Sequence, residues 1–226
     1  MSKFTAVITG ASQGIGAAVT EAFAENGGQL VIGARNQSAV EDRAAGLPAE
    51  AVSVDVRNES SVRDLMTVAS EVLNEIDVLV PNAGVYHGPS GKTPLPEESY
   101  ERFDEHLATN AKGVFATIRE AVPYLAEDAR VLVPSGKPAR EPTAGAGSYG
   151  VSKAAAEAIA RGFSADLDQV VGVVDPGQVQ TQLTEKEFGR TPVDVAPMYV
   201  WAAHSAPKEK IDGGVTGIKD WLQATR

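Results

Sequence analysis

The sequence predicts a single doubly wound α/β domain, with a mostly parallel sheet of about seven strands and helices on both faces. Three observations carry that prediction. Short runs rich in Val and Ile alternate with longer amphipathic runs, the pattern of repeated strand–helix–strand units. The short runs are continuously apolar, as strands buried on both faces should be. No Pro/Gly/Ser-rich linker, low-complexity run or internal repeat divides the 226 residues, so residues 1–226 read as one domain.

The elements follow in order. Strands are expected at 4–9 (FTAVIT), 29–33 (QLVIG), 51–54 (AVSV), 77–80 (DVLV), 130–134 (RVLVP) and 170–174 (VVGVV), each bounded by Gly, Pro, Asn or Asp. Helical patterns fall between them, near 14–26, 37–45, 59–74, 97–125 and 148–167. Farther on, VDVAPMYVWAAHSA (193–206) reads as one helix with Ala196, Val200 and Ala203 on a common face. VTGI (215–218) reads as the last strand, and TQLTEKEFGRTP (181–192) as at most a short lid.

The first loop carries the first chemical signal. TGASQGIG, Thr9 to Gly16, follows a strand and opens a helix. Glycines permit close backbone approach, and a helix start offers unpaired N–H groups to a pyrophosphate. Gly10, Ser12, Gln13, Gly14, Ile15 and Gly16 are therefore candidate dinucleotide contacts, although G-x-x-x-G-x-G differs from the commoner G-x-G-x-x-G spacing. The second strand ends in Gly33-Ala34-Arg35, without the acid that an NAD site places near the ribose 2′-hydroxyl. The first acid is Glu41, well into the next helix. Arg35 stands where a cation meets a 2′-phosphate, so NADP is favoured over NAD, which stays as the alternative.

GSYGVSKAAAEAIARG (147–162) carries the second signal. Tyr149 and Lys153 lie one turn apart and share one side of a helix. Ala156 and Ala160 continue that stripe, while Val151, Ala154, Ala155 and Ala158 cover much of the other side. A helix apolar all round is usually buried, which predicts a partner helix across a symmetric interface, in a homodimer or homotetramer.

Composition excludes other classes. There is no cysteine, hence no disulfide, thiolate metal site or cysteine nucleophile. His87, His106 and His204 lack metal-ligand spacing, so no metal is expected. A net charge of −10 argues against a general nucleic-acid partner; it reads as a solvated acidic surface or as adaptation to a salty cytoplasm. MSKFTAVITG lacks a signal-peptide core, and no apolar run approaches the roughly 20 residues that span a bilayer. The expectation is a soluble, cytoplasmic protein without a membrane partner.

With TGASQGIG, PNAG (81–84) and YGVSK (149–153) in this order, the chain resembles the short-chain dehydrogenase/reductase family from Thr5 to about Thr181. The resemblance implies a Rossmann-like fold and a nicotinamide cofactor. It implies an adenine contact at Asp55 with the Val56 backbone beside it. It assigns Asn82, Ala83 and Gly84 to a segment lining the cofactor, with Pro81 in place of the family's usual first asparagine. It makes Asn110 the holder of a proton-relay water, Ser135 the group that orients the substrate carbonyl, and Tyr149 and Lys153 the catalytic pair. Lys153 also holds the nicotinamide ribose. Pro176, Gly177, Val179 and Thr181 match the family's nicotinamide end. IDGG (211–214) resembles its closing D-G-G.

The chemistry agrees with the residue types. Reducing a ketone needs a hydride, which the cofactor supplies, and a proton for the new alkoxide. A tyrosine pKa near 10 is high for that exchange at neutral pH, and an ammonium within about 4–6 Å lowers it. Tyr149 is thus expected as the acid in reduction and the base in oxidation, acidified by Lys153. Tyr86, His87, Lys137, Arg140 and Gln178 are candidate substrate-pocket residues. The expected activity is hydride transfer between NADP and a small-molecule carbonyl or secondary alcohol. A non-catalytic dinucleotide sensor and an epimerase or dehydratase with bound nicotinamide are the alternatives.

Overall fold

The computed structural model describes residues 3–183 and 189–225. β1 (Phe4–Thr9) leads through the glycine loop into α1 (Gly14–Glu25); β2 (Gly28–Ala34), α2 (Gln37–Ala44) and β3 (Ala49–Ser53) follow. α3 (Glu59–Leu73) returns to β4 (Ile76–Val80). α4 (Tyr100–His106), a π-helical turn (Leu107–Lys112) and α5 (Gly113–Ala121) lead to β5 (Leu125–Pro134). α6 (Gly147–Asp166), β6 (Val170–Asp175), α7 (Pro192–His204), α8 (Lys208–Ile211), β7 (Val215–Gly217) and α9 (Ile218–Ala224) complete the chain. The sheet is parallel throughout, ordered β3-β2-β1-β4-β5-β6-β7. The expected seven strands and doubly wound architecture are present.

Period-two alternation divides the core. Ala6, Ile8, Leu30 and Ile32 pack with Phe23 of α1 and Met198 and Tyr199 of α7 on one face. Val7, Val31, Leu79 and Val131 pack with Leu65 and Met66 of α3, Ile118 of α5 and Ala156 and Ala160 of α6 on the other. Each buried Leu or Ile side chain contributes roughly 1.5–3 kcal/mol by leaving water.

Two boundaries differ from expectation. The helical stretch 97–125 is not continuous: α4 and α5 are separated by the π-helical turn, and the chain is already strand from Leu125. Asn110 sits in that turn and bonds outward to the backbone of Val85, a demand that the sequence period does not show. β3 runs 49–53 rather than 51–54. The three-residue β7 is where VTGI was expected; Val171 N–H donates to Asp212 Oδ1 and Val173 N–H to Gly214 O, which ties the D-G-G segment to β6.

The strand order reverses between β1 and β4. In open parallel sheets this crevice, at the carboxyl ends of the strands, is where ligands bind. No helix among the described residues is long and apolar enough to cross a membrane.

Candidate active site

A cleft of about 760 Å³ runs along those strand ends, within the usual size of a small-molecule site, about 300–1,000 Å³. One end is lined by Arg35, Asn36, Ala39, Asp55, Val56 and Arg57. Gly10, Ser12, Gln13, Gly14 and Ile15 form its floor. Asn82, Ala83, Gly84, Tyr149, Pro176, Gly177, Val179 and Thr181 line the rest.

The start of α1 fits an anion. No side chain caps it and its first turn holds no acid, whereas Asn36, Asn58, Ser99 and Thr191 cap α2, α3, α4 and α7. Gly14, at φ 59°, would bring a Cβ no nearer than 3.6 Å to Thr181, so the loop leaves room above itself. Gly16 lies beneath the loop: a Cβ there would stand 2.3 Å from Gly10 O and 2.5 Å from Asn82 Nδ2. Asn82 donates through Nδ2 to Thr9 O (3.0 Å) and Gly10 O (3.1 Å), tying the end of β4 to the loop.

Three cations line the cleft, and they differ. Arg57 clasps Asp55, with Nε at 2.9 and 3.1 Å and NH2 at 2.6 Å from the carboxylate oxygens, which holds that carboxyl below its usual range. The Asp55 carboxylate is therefore engaged inside the protein. Lys137 pairs with Glu141 at 3.0 Å. Arg35 is exposed and, among the described residues, forms no ion pair. Sequence reasoning missed Arg57; its signal was a cation two residues after Asp55.

At the other end the Tyr149 ring packs tilted against Tyr86, ring centroids 4.7 Å apart. Lys153 is buried and donates to Pro134 O at 2.9 Å. The expected acidification does not appear in the protein alone. Burial, then the neighbouring Tyr86 and Asp175, push the Tyr149 phenol up to about 12. Burial pulls Lys153 down to about 8, against the support of Glu157.

Ser135 borders the cleft, and its hydroxyl donates to Glu157 Oε1 at 2.6 Å. Asn110 is buried: Oδ1 accepts from Val85 N–H at 2.8 Å, and Nδ2 donates to Val85 O at 2.9 Å and to Ser152 Oγ at 3.0 Å. Its side chain clamps the segment after Gly84. Arg140 leaves the pocket for Glu157 and Asp175. His87 turns to Glu105, 2.9 Å away, beside a second, shallower hollow. Lys137, Gln178 and Tyr86 do line the main cleft.

The N-terminus of α6 is held from a distance. Glu98 Oε2 accepts from Ser148 N–H at 3.0 Å and Ser148 Oγ at 2.8 Å. His106 Nε2 accepts from His87 N–H at 3.0 Å, so its proton lies on Nδ1, which donates to Ser148 Oγ at 2.6 Å. Burial keeps this imidazole below its ordinary value. The chain Glu98–Ser148–His106 thus fixes the residue before Tyr149. No sequence motif announced it.

Residues 4–191 match the family of short chain dehydrogenases. The chain belongs to the short-chain dehydrogenase/reductase family. It is accordingly an NAD(P)-dependent oxidoreductase. It is 30% identical over 192 residues to an uncharacterized oxidoreductase of Staphylococcus epidermidis, covering 81% of this chain and 82% of the relative. It is 35% identical over 191 residues to the 1-deoxy-11-beta-hydroxypentalenate dehydrogenase of Streptomyces exfoliatus, covering 80% and 69%. Among solved structures, the alcohol dehydrogenase of the archaeon Thermococcus sibiricus complexed with 5-hydroxy-NADP superposes with a TM-score of 0.85 at 27% identity, over 96% of each chain. Residues 184–188, in the stretch expected as a short lid, lie outside the described residues; before and after them, Val179 and Arg190 form a bridge.

Proposed function

We propose that this oxidoreductase is an NADP-preferring carbonyl reductase, with Tyr149 as its proton donor. The observation that carries the reading is one continuous cleft with an uncapped helix start and an unpaired Arg35 at one end, and at the other a half-buried Tyr149 with the buried Lys153 one turn behind it. Arg57 and Lys137 are already neutralised, so Arg35 is the lining cation with charge to offer a 2′-phosphate. The relative solved with 5-hydroxy-NADP supports the choice.

When bound, the nicotinamide supplies the hydride. The chain's own residues manage the proton and the fit. The start of α1 and the glycine loop hold the pyrophosphate. Tyr149, protonated at neutral pH, donates from its phenol oxygen to the oxygen that gains charge. Lys153 lies one turn behind it, where its ammonium supports the nicotinamide ribose and the developing tyrosinate. Tyr86 flanks the phenol ring and narrows the substrate end. Ser135, on the cleft wall, would turn its hydroxyl from Glu157 to the substrate carbonyl and orient it. The substrate is a small carbonyl compound, or the secondary alcohol in the reverse direction.

We further assign the protein to the cytoplasm as a homo-oligomer. Val151 on α6 is 38% exposed and Phe115 on α5 43%, and Phe115 packs against Phe163 of α6 at 5.7 Å. These side chains form the apolar stripe that the single chain leaves uncovered. Sedimentation showing only a 23.6 kDa species at micromolar concentration would remove the oligomer.

The reductase reading is tested by NADPH oxidation against a carbonyl panel, with NADH in parallel. Signal loss with NADPH alone is expected. Tyr149→Phe should abolish turnover yet bind NADPH normally. Tight NADPH binding without turnover on any carbonyl would favour a sensor instead.

A further inference from the structure

The loop that follows β4 is fastened to the start of α6 by a cluster of polar side chains that no step of the reaction uses. His106, the last residue of α4, stands at its centre and is 1% exposed. Its Nε2 accepts from the His87 backbone N–H at 3.0 Å. Its Nδ1 donates to Ser148 Oγ at 2.6 Å. Ser148 gives its hydroxyl proton and its N–H to Glu98 Oε2, at 2.8 and 3.0 Å. The carboxylate comes this close because residue 147 is glycine; a Cβ there would stand 2.4 Å from the same oxygen.

These bonds leave His106 one protonation state. Ser148 has a single hydroxyl proton and the carboxylate takes it, so Nδ1 must bring its own hydrogen. The His87 N–H needs a bare Nε2. An imidazolium carries hydrogen on both nitrogens and would set N–H against N–H at His87. An added proton therefore keeps the bond to Ser148 and breaks the bond to His87. Burial, and after it the His87 ring 5.1 Å away, hold the imidazole below its ordinary value, so it is neutral at neutral pH. The other groups that face it are Glu98, Arg102 and Glu105 of its own helix, and the rings of Tyr86 and Tyr149 at 6.0 and 6.2 Å.

The break is local. Val85 keeps both of its backbone bonds to Asn110, so Gly84 and Val85 stay in place along the cleft. Tyr86 lies between Val85 and His87, with its ring against Tyr149 and its hydroxyl donating to Gly145 O at 3.1 Å. Once His87 is released, the backbone beyond Tyr86 has lost its tie to α4.

We propose that His106 is a positioning residue for the substrate end of the cleft: holding His87 on one nitrogen and Ser148 on the other, it fixes Tyr86 against the Tyr149 phenol, and it does so only while neutral. His106 touches neither cofactor nor substrate. The proposal rests on the reductase reading for the carbonyl that enters between these rings, but not for the state of the imidazole.

The test has two arms. The first is NMR of protein carrying ring-labelled histidine, with His87→Asn and His204→Asn assigning the other two rings. It should find His106 as the Nδ1–H tautomer at pH 7.5 and give its midpoint. An Nε2–H tautomer, an imidazolium at that pH, or a ring that takes no proton before the chain unfolds overturns the proposal. The second arm is steady-state NADPH oxidation on a reduced carbonyl, from pH 8 to below that midpoint. KM for the carbonyl should rise by about 3- to 10-fold through the midpoint, the worth of one lost hydrogen bond, with the Kd for NADPH within about twofold. His106→Gln offers an amide oxygen to His87 and an amide N–H to Ser148 and does not titrate, so its KM should stay flat over the same range. A merely structural histidine would give no step for glutamine to remove. A KM without a step at the midpoint, a step that survives in His106→Gln, or an equal loss of NADPH binding overturns the proposal. Should His106→Gln fail to fold, the coincidence of KM step and midpoint in the wild type decides. A wild type that oxidises NADPH with no carbonyl sinks the reductase reading, and the tautomer and midpoint then judge His106 alone.

Discussion

Replacing Gly16 with alanine tests how the glycine loop is built. A Cβ at 16 would stand 2.3 Å from Gly10 O and 2.5 Å from Asn82 Nδ2. Both neighbours are fixed, because Asn82 Nδ2 is itself bonded to Thr9 O and Gly10 O. Overpacking a tight site costs about 1–3 kcal/mol. Displacing the two Asn82 bonds adds about 1 kcal/mol each, and the better helix propensity of alanine returns at most about 1 kcal/mol. The net loss is roughly 2–4 kcal/mol, or about 4–16 °C in Tm at 2–4 °C per kcal/mol for a chain of this size. Gly14→Ala is the control on the same loop. Its φ of 59° costs an alanine about 1–2 kcal/mol, and its Cβ meets nothing nearer than 3.6 Å. Gly14→Ala should therefore melt only about 2–8 °C below wild type, yet weaken NADPH binding, because its methyl enters the space left for the pyrophosphate. Calorimetry of the cofactor-free proteins and a fluorescence titration with NADPH separate the two. If Gly16→Ala melted within a degree of wild type, or Gly14→Ala were the less stable, the assignment of Gly16 to loop closure would be wrong.

Arg35→Ala should weaken NADPH binding by about 10- to 100-fold, the worth of a charge-assisted contact, and leave NADH within about twofold by calorimetric titration; equal losses would refute the 2′-phosphate role. Lys153 is depressed from 10.5 to about 8 in the fold, so between those values the unfolded chain binds more protons than the native one and stability rises with pH. Urea unfolding should show wild type gaining on the order of 2–3 kcal/mol relative to Lys153→Met from pH 8 to pH 10.5, and a flat difference would show that the ammonium is not buried. Above pH 10 the Tyr149 phenol, pushed up to about 12, acts oppositely: the native state keeps a proton that the unfolded chain loses, and stability falls.

The fold was legible because its evidence is local. Apolar runs, a glycine turn after the first and helical periods between them define a parallel sheet without knowledge of contacts, and even the three-residue β7 fell within VTGI. The site was legible where a motif has a fixed backbone context: Gly10 to Ile15, Asn82 to Gly84 and Pro176 to Thr181 converge on one cleft. What was not legible depends on where side chains point at element ends. Ser135 ends a strand, and the residue type does not tell whether its hydroxyl faces the cleft or α6. Glu157 lies within an alanine-rich helix, as a polar group that a buried helix must satisfy, and its partners Ser135 and Arg140 come from another segment. Arg57 beside Asp55, and Asn110 in a π-helical turn, need the tertiary fold to be seen.

The acid–base pair makes the same point about energetics. One turn of helix places an ammonium behind a phenol, and that spacing alone argues for an acidified tyrosine. Burial acts on both groups first, and it favours the neutral form of each. The Tyr149 phenol rises, the Lys153 ammonium weakens, and Lys153 spends a proton on Pro134 O. A protonated phenol is the form that reduction requires. The carboxylate one turn beyond Lys153 opposes the loss of the ammonium, and Arg140 tempers that carboxylate. The proton inventory of the cleft is therefore set by burial first and by the neighbouring Glu157 and Asp175 second, and not by the Tyr–Lys spacing alone.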